Sequence, residues 1–181
     1  MTAQNSSNRP PPLMMVFHVP EDQAYNAAYG IVMMRHAQLD YSMRMMIRTL
    51  ADLSIEDALD ATVRDGSSKL RDIVLRLAAK RLGEGPELLT LRAMVERVKR
   101  ATEKRNMLAH ALVVKLRDEE IAEPQVKTQF HTFEPLPSMA ELTALAGELT
   151  SLTNEVNHAR LHGFVAQALL RKASAQAALR Q

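Results

Sequence analysis

The 181-residue chain has no cysteine and no tryptophan. The first absence excludes disulfides, thiolate metal sites and a cysteine nucleophile. Aromatic residues make up only 4% while methionine reaches 11, so the expected core is aliphatic and soft. Long apolar runs are also missing. The longest uncharged stretch, Gln23 to Met34, is twelve residues, short of the ~20 that span a bilayer, and no membrane partner is expected. The first twenty residues hold four of the eight prolines and no basic cluster ahead of an apolar run. That speaks against a secretory signal and for a cytoplasmic protein. Neither a Gly-rich phosphate loop nor a nucleophile elbow is present, and no cofactor is expected.

What is present is an ordinary globular composition, 46% hydrophobic and 24% charged, on a chain long enough for one domain with a core. The net charge of +2 hides a strong asymmetry. Between Ser67 and Arg117 thirteen Lys/Arg stand against five Asp/Glu, a local +8, whereas the remainder carries ten against sixteen. A basic middle on a near-neutral chain points to an anionic partner, nucleic acid among them, or to an acidic face of the same assembly.

Residues 1–20 read as a flexible, proline-rich arm, with the apolar piece Leu13–Val19 expected to lie against something. Residues 21–181 read as a single helical domain. Leu39, Met43, Met46, Leu50 and Leu53 recur at spacings of four and three, which predicts a helix from Glu21 to Leu53. Ser54 with Asp57 resembles a capping box for a short helix ending near Gly66, and Ser67 or Ser68 is expected to cap the next. A long helix begins near Pro86, with Leu91, Met94, Val98, Ala101, Leu108 and Leu112 as its seam. The stretches 112–116 and 126–133 carry β-branched and aromatic residues and are expected to pair as a small hairpin. Ser138 with Glu141 opens a last long helix, seamed by Leu142, Leu145, Leu149, Leu152, Val156 and Ala159 and expected to bend at Gly163. The fold class is therefore all-α, a helical bundle with a β-hairpin insertion around 112–133. Two helices longer than twenty-five residues with heptad seams also raise the expectation of a dimer through helix faces.

One seam position breaks the pattern. Between Ala101 and Leu108 the apolar rhythm meets Arg105, and a buried guanidinium without a partner is costly. Arg105 opens the segment Arg105-Asn106-Met107-Leu108-Ala109-His110, near the end of the most basic helix, which also carries Arg97, Lys99, Arg100 and Lys104. The bare Arg-x4-His spacing is weak, since chance supplies about half a pair in a chain of this composition. Its position in the seam is what raises the signal.

This segment, late in a long helix of a small helical domain, resembles the HEPN superfamily (higher eukaryote and prokaryote nucleotide-binding domains). The resemblance covers roughly residues 21–116, and its sharp part is Arg105–His110. It implies a metal-independent ribonuclease site between two protomers, with Arg105 and His110 as the catalytic pair and Asn106 as the polar residue that follows the arginine. It also implies a homodimer, RNA as substrate, and a role as a toxin or defence component with a protein antitoxin as a further partner. Two positions depart from the pattern: Ala111 stands where a glycine is frequent after the histidine, and Leu112 stands where the toxin branch has tyrosine.

Elementary geometry is consistent with a two-chain site. Five residues of helix turn 500°, which leaves Arg105 and His110 about 140° apart. Either the helix distorts there or two copies of the motif face each other. Cleavage of RNA by its own 2′-OH also requires one group to take a proton and another to give one, and one motif histidine per chain is short by one. Asp40, on an otherwise apolar face with Met33, His36, Met43 and Ile47, is a further candidate to orient Arg105 or His110; pairing with His36 one turn away is its plainer role. Arg97, Lys99, Arg100 and Lys104 are candidate RNA contacts or simply a solvated face. His158 and His162, four apart, suit a shared metal but lack an acidic third ligand, and no metal is expected. The alternative function is a non-catalytic helical dimer that binds RNA, a nucleotide or a protein.

Overall fold

The computed structural model describes residues 15–17, 19–110, 112–116, 125–127 and 133–179. Most of the expected N-terminal arm, Ala111 and the stretch 128–132 of the expected hairpin lie outside the described residues. Among the described residues six helices and four short strands follow one another as β1 (Met15–Phe17), α1 (Gln23–Ala51), α2 (Ile55–Thr62), α3 (Ser67–Leu82), α4 (Pro86–Ala109), β2 (Leu112–Leu116), β3 (Gln125–Lys127), β4 (Phe133–Pro135), α5 (Met139–Leu161) and α6 (Phe164–Ala178). The class is the expected all-α bundle, with a small antiparallel sheet in place of a lone hairpin.

Local chemistry sets most helix ends. The Asp22 carboxylate accepts the N–H groups of Ala24 and Tyr25 at the start of α1. Ser54 accepts from the Asp57 N–H at 3.0 Å to open α2. Ser138 and Glu141 form a reciprocal capping box at α5, meeting two otherwise orphaned N–H groups. The start of α3 differs from expectation. Gly66, not a serine, is the N-cap, and no side chain caps the first turn. Ser67 lies inside that turn and donates its hydroxyl to Asp40 of α1 instead. At its other end α3 stops on Gly83 at φ 73, a left-handed conformation that favours glycine.

The core lies where α1 packs along α5 and against α3, and where α4 closes on both α3 and α5. Leu39, Met43, Met46 and Leu50 of α1 are buried together with Leu142, Leu149, Leu152 and Val156 of α5. These two seams cover each other within one chain, so seam length does not require a partner subunit. Gly163 breaks α5 from α6 as expected. A Cβ there would come within 3.0 Å of the Ala159 Cα and 3.1 Å of the His158 carbonyl oxygen, both backbone atoms. Gly163→Ala is expected to cost about 1–3 kcal/mol of stability through overpacking, read as a lower denaturation midpoint.

In the sheet, β2 and β3 pair, with Leu112 opposite Lys127, Val113 opposite Val126 and Val114 opposite Gln125. The expected second strand, 126–133, is not one strand, since β3 ends at Lys127 and Phe133 begins β4. β1, from the proline-bounded piece of the arm, pairs with β2, and β4 pairs with β3, giving the order β1-β2-β3-β4. Each added strand has three residues, too few for an alternating pattern to stand out in sequence. Among the described residues no helix is long and apolar enough to cross a membrane.

Candidate functional site

His36 and Asp40 lie one turn apart on the flank of α1. Facing them, the last turns of α4 present Thr102, Arg105 and Asn106, and the start of α3 supplies a third wall from Gly66 to Arg71. Between these walls is an open cavity of about 520 Å³, within the range that holds small-molecule ligands.

Polar groups from two helices surround the His36 ring. The imidazole is only 3% exposed. The Thr102 hydroxyl donates to the Val98 carbonyl at 2.8 Å, so its oxygen is left to accept from His36 Nε2, 3.3 Å away. Arg105 Nη2 stands within hydrogen-bond distance of both ring nitrogens, 2.7 Å from Nδ1 and 3.1 Å from Nε2. The neutral ring thus holds the guanidinium that the seam position brings inward. Asp40 Oδ2 stands 3.6 Å from the same Nδ1 and accepts the Ser67 hydroxyl at 2.9 Å. Burial lowers the His36 pKa below the ordinary 6.5; Asp40 pulls it back up, while Arg105 and Arg71 push it further down. Nearby, the Tyr29 hydroxyl donates to the Leu108 carbonyl at 2.9 Å, tying the last turn of α4 to α1. Burial raises the Tyr29 pKa, against a smaller opposing pull from Arg105.

The structure brings three of the four expected catalytic candidates together. Arg105 is half-buried, Asn106 lines the cavity beside it, and Asp40 lines the opposite wall. The Arg105–Asp40 relation is indirect and runs through His36. His110 is not part of this cavity: it is exposed at the end of α4. α4 stays helical through Ala109, and the His110 N–H still bonds the Asn106 carbonyl at 3.0 Å. The wide angle between Arg105 and His110 is therefore kept, and within one chain their side chains diverge.

The candidate RNA contacts are largely engaged elsewhere. Arg97 forms a two-pronged pair with Glu155 at 2.6 and 2.9 Å, and Lys104 pairs with Glu148 at 2.9 Å, both stitching α4 to α5. Glu155 raises the Arg97 pKa through that hydrogen bond, and its own pKa is lowered in turn. Lys99 lies 3.7 Å from Glu96, and Arg100 is exposed. His158 and His162 sit with ring centroids 6.4 Å apart, both exposed, and among the described residues no three potential ligands gather into a metal cluster.

The residues that sequence reasoning underweighted are His36, which appeared only as a neighbour of Asp40, and Arg71 with the first turn of α3. The signal for His36 was a polar pair at i and i+4 on an apolar face, directed at the one seam position held by arginine. Nothing in the sequence tied α3 to that pair. No family model, no curated protein and no solved structure matches the chain.

The lowered pKa of His36 makes stability depend on pH with a definite sign. The unfolded chain takes up a proton near 6.5, while the folded chain resists it until lower pH, so the unfolded state binds more protons in between. The stability linked to His36 is present above 6.5 and is lost as pH falls from there through the lowered value. Denaturant midpoints measured across that window should fall more steeply for the wild type than for His36→Gln; parallel curves would refute the assignment.

Proposed function

We propose that the protein is a homodimeric endoribonuclease of the HEPN kind, cutting RNA without a metal and leaving a 2′,3′-cyclic phosphate. The observation that carries this reading is the Arg105 guanidinium, brought inward at the motif's seam position and held by a buried neutral imidazole at the wall of a cationic cavity. A guanidinium so placed is organised in advance for phosphate oxygens. The exposed His110 at the end of the same helix, with exposed Met107 about 60° around the helix surface from it, supplies a titratable group and an apolar neighbour for a second copy.

In the proposed reaction one His110 imidazole removes the proton of the ribose 2′-OH, and that oxygen attacks the adjacent phosphorus. The bond from phosphorus to the 5′-oxygen breaks, and the His110 of the second copy donates the proton that this oxygen needs. Arg105 stabilises the charge on the nonbridging oxygens during the exchange. The test is incubation of purified protein with mixed RNA in EDTA, beside Arg105→Ala and His110→Ala. Absence of cutting by the wild type, or equal cutting by the variants, removes this reading. Binding of RNA without cleavage is the second reading, favoured by the separation of His110 from the cavity that holds Arg105.

A further inference from the structure

The cavity between α1, α3 and α4 has more cationic character than the arginine–histidine motif alone accounts for. Its walls carry Lys69, Arg71 and Arg105 against a single carboxylate, Asp40. That carboxylate already accepts the Ser67 hydroxyl and lies beside His36. Lys69 is paired with Asp65 at 2.8 Å, and Asp40 offsets one further charge, which leaves the two guanidinia with one positive charge in excess. Each has one buried nitrogen with no hydrogen-bond partner among the described residues, Nη1 of Arg71 and Nε of Arg105. Such groups gain by turning toward an anion. The first turn of α3 forms part of the same wall, and no side chain caps its N–H groups. Its partial positive charge therefore adds to that of the guanidinia.

We propose that this cavity, complete within one chain, binds a phosphoryl group of an RNA strand, with Arg71 and Arg105 on its oxygens and the open start of α3 facing the same charge. The proposal rests on the RNA reading above but does not require cleavage. It gives Arg71, Ser67 and Ser68 a place beside the strand.

Gly66 permits a direct test. It is extended, at φ −77 and ψ 167, and a Cβ added there would meet nothing within 4 Å. An aspartate at this position caps the helix and places a negative charge at the cavity wall, so Gly66→Asp should keep or raise the melting temperature while blocking the anion. The probe is a fluorescent single-stranded oligonucleotide with 2′-O-methyl riboses, which cannot be cut by its own 2′-oxygen, measured by anisotropy over a salt series. Arg71→Gln and Gly66→Asp are each expected to weaken binding about ten-fold or more, and Arg71→Gln to reduce the salt slope by about one. Binding by both variants at wild-type strength, or no binding by the wild type, would overturn the proposal. Inorganic phosphate serves as the competing arm: displacement only at large excess supports the strand as the source, and phosphate binding as tight as the oligonucleotide overturns it. A wild type that binds the methylated strand but cuts no unmodified RNA would remove the ribonuclease and leave this site standing. Cleavage with unaltered binding by both variants would do the reverse.

Discussion

His110→Ala is expected to reduce RNA cleavage by roughly 10² to 10⁴-fold, the usual contribution of a positioned general acid or base. Arg105→Ala should cost a comparable factor, because in the proposed reaction it removes the cation that meets the developing phosphate charge. The two losses should differ in kind. His110 is exposed and has no packing role, so its replacement should leave the melting temperature unchanged. Arg105→Ala leaves His36 Nδ1 without its donor inside a buried site and should lower stability as well. Mixing equal amounts of wild type and His110→Ala under conditions of subunit exchange reads the chain requirement. If acid and base come from different subunits, only the wild-type homodimer is fully active, and the mixture retains about one quarter of the activity. If each chain acts alone it retains about one half. A value of one half would refute the two-chain mechanism even where the enzyme is active.

The largest expected effect on stability lies in the α1–α5 seam. Leu149 is fully buried, and α1 packs along the helix that carries it. Leu149→Ala should cost about 2.7–5 kcal/mol, the lost transfer of the side chain plus a cavity that rigid helices fill poorly. In a chain of this size that corresponds to a melting temperature lower by about 5–20 °C. Leu161→Ala is the control: the residue is half-exposed on the same helix, and its loss should be a small fraction of this. Equal losses at the two positions would contradict the packing described here.

Much of the candidate site was legible in the sequence. Arg105 broke a seam of Leu91, Met94, Val98 and Ala101, and a residue that interrupts an apolar period has to find a partner once its helix docks. What could not be read was the partner's identity. A glutamate would have served equally well in sequence terms; the structure supplies His36, because α1 crosses α4 at that turn. The serines at 67 and 68 show the opposite case. They read as helix caps by local preference, and the tertiary contact with Asp40 overrode that preference for Ser67, leaving the start of α3 open. Arg97 and Lys104 of the basic stripe likewise looked available in sequence, where Glu155 and Glu148 lie some fifty residues away and give no sign that they face it.

By itself the sequence determined the helices, their caps at Ser54 and Ser138, the break at Gly163 and the inward placement of one arginine. Each of these depends on periodicity or on chemistry within a few residues. Only the tertiary structure decided which long seams cover each other, which groups surround the His36 ring, and which cations remain unbalanced. Those outcomes depend on distances between segments remote in the chain, and burial and charge act through such distances whatever the order of the residues.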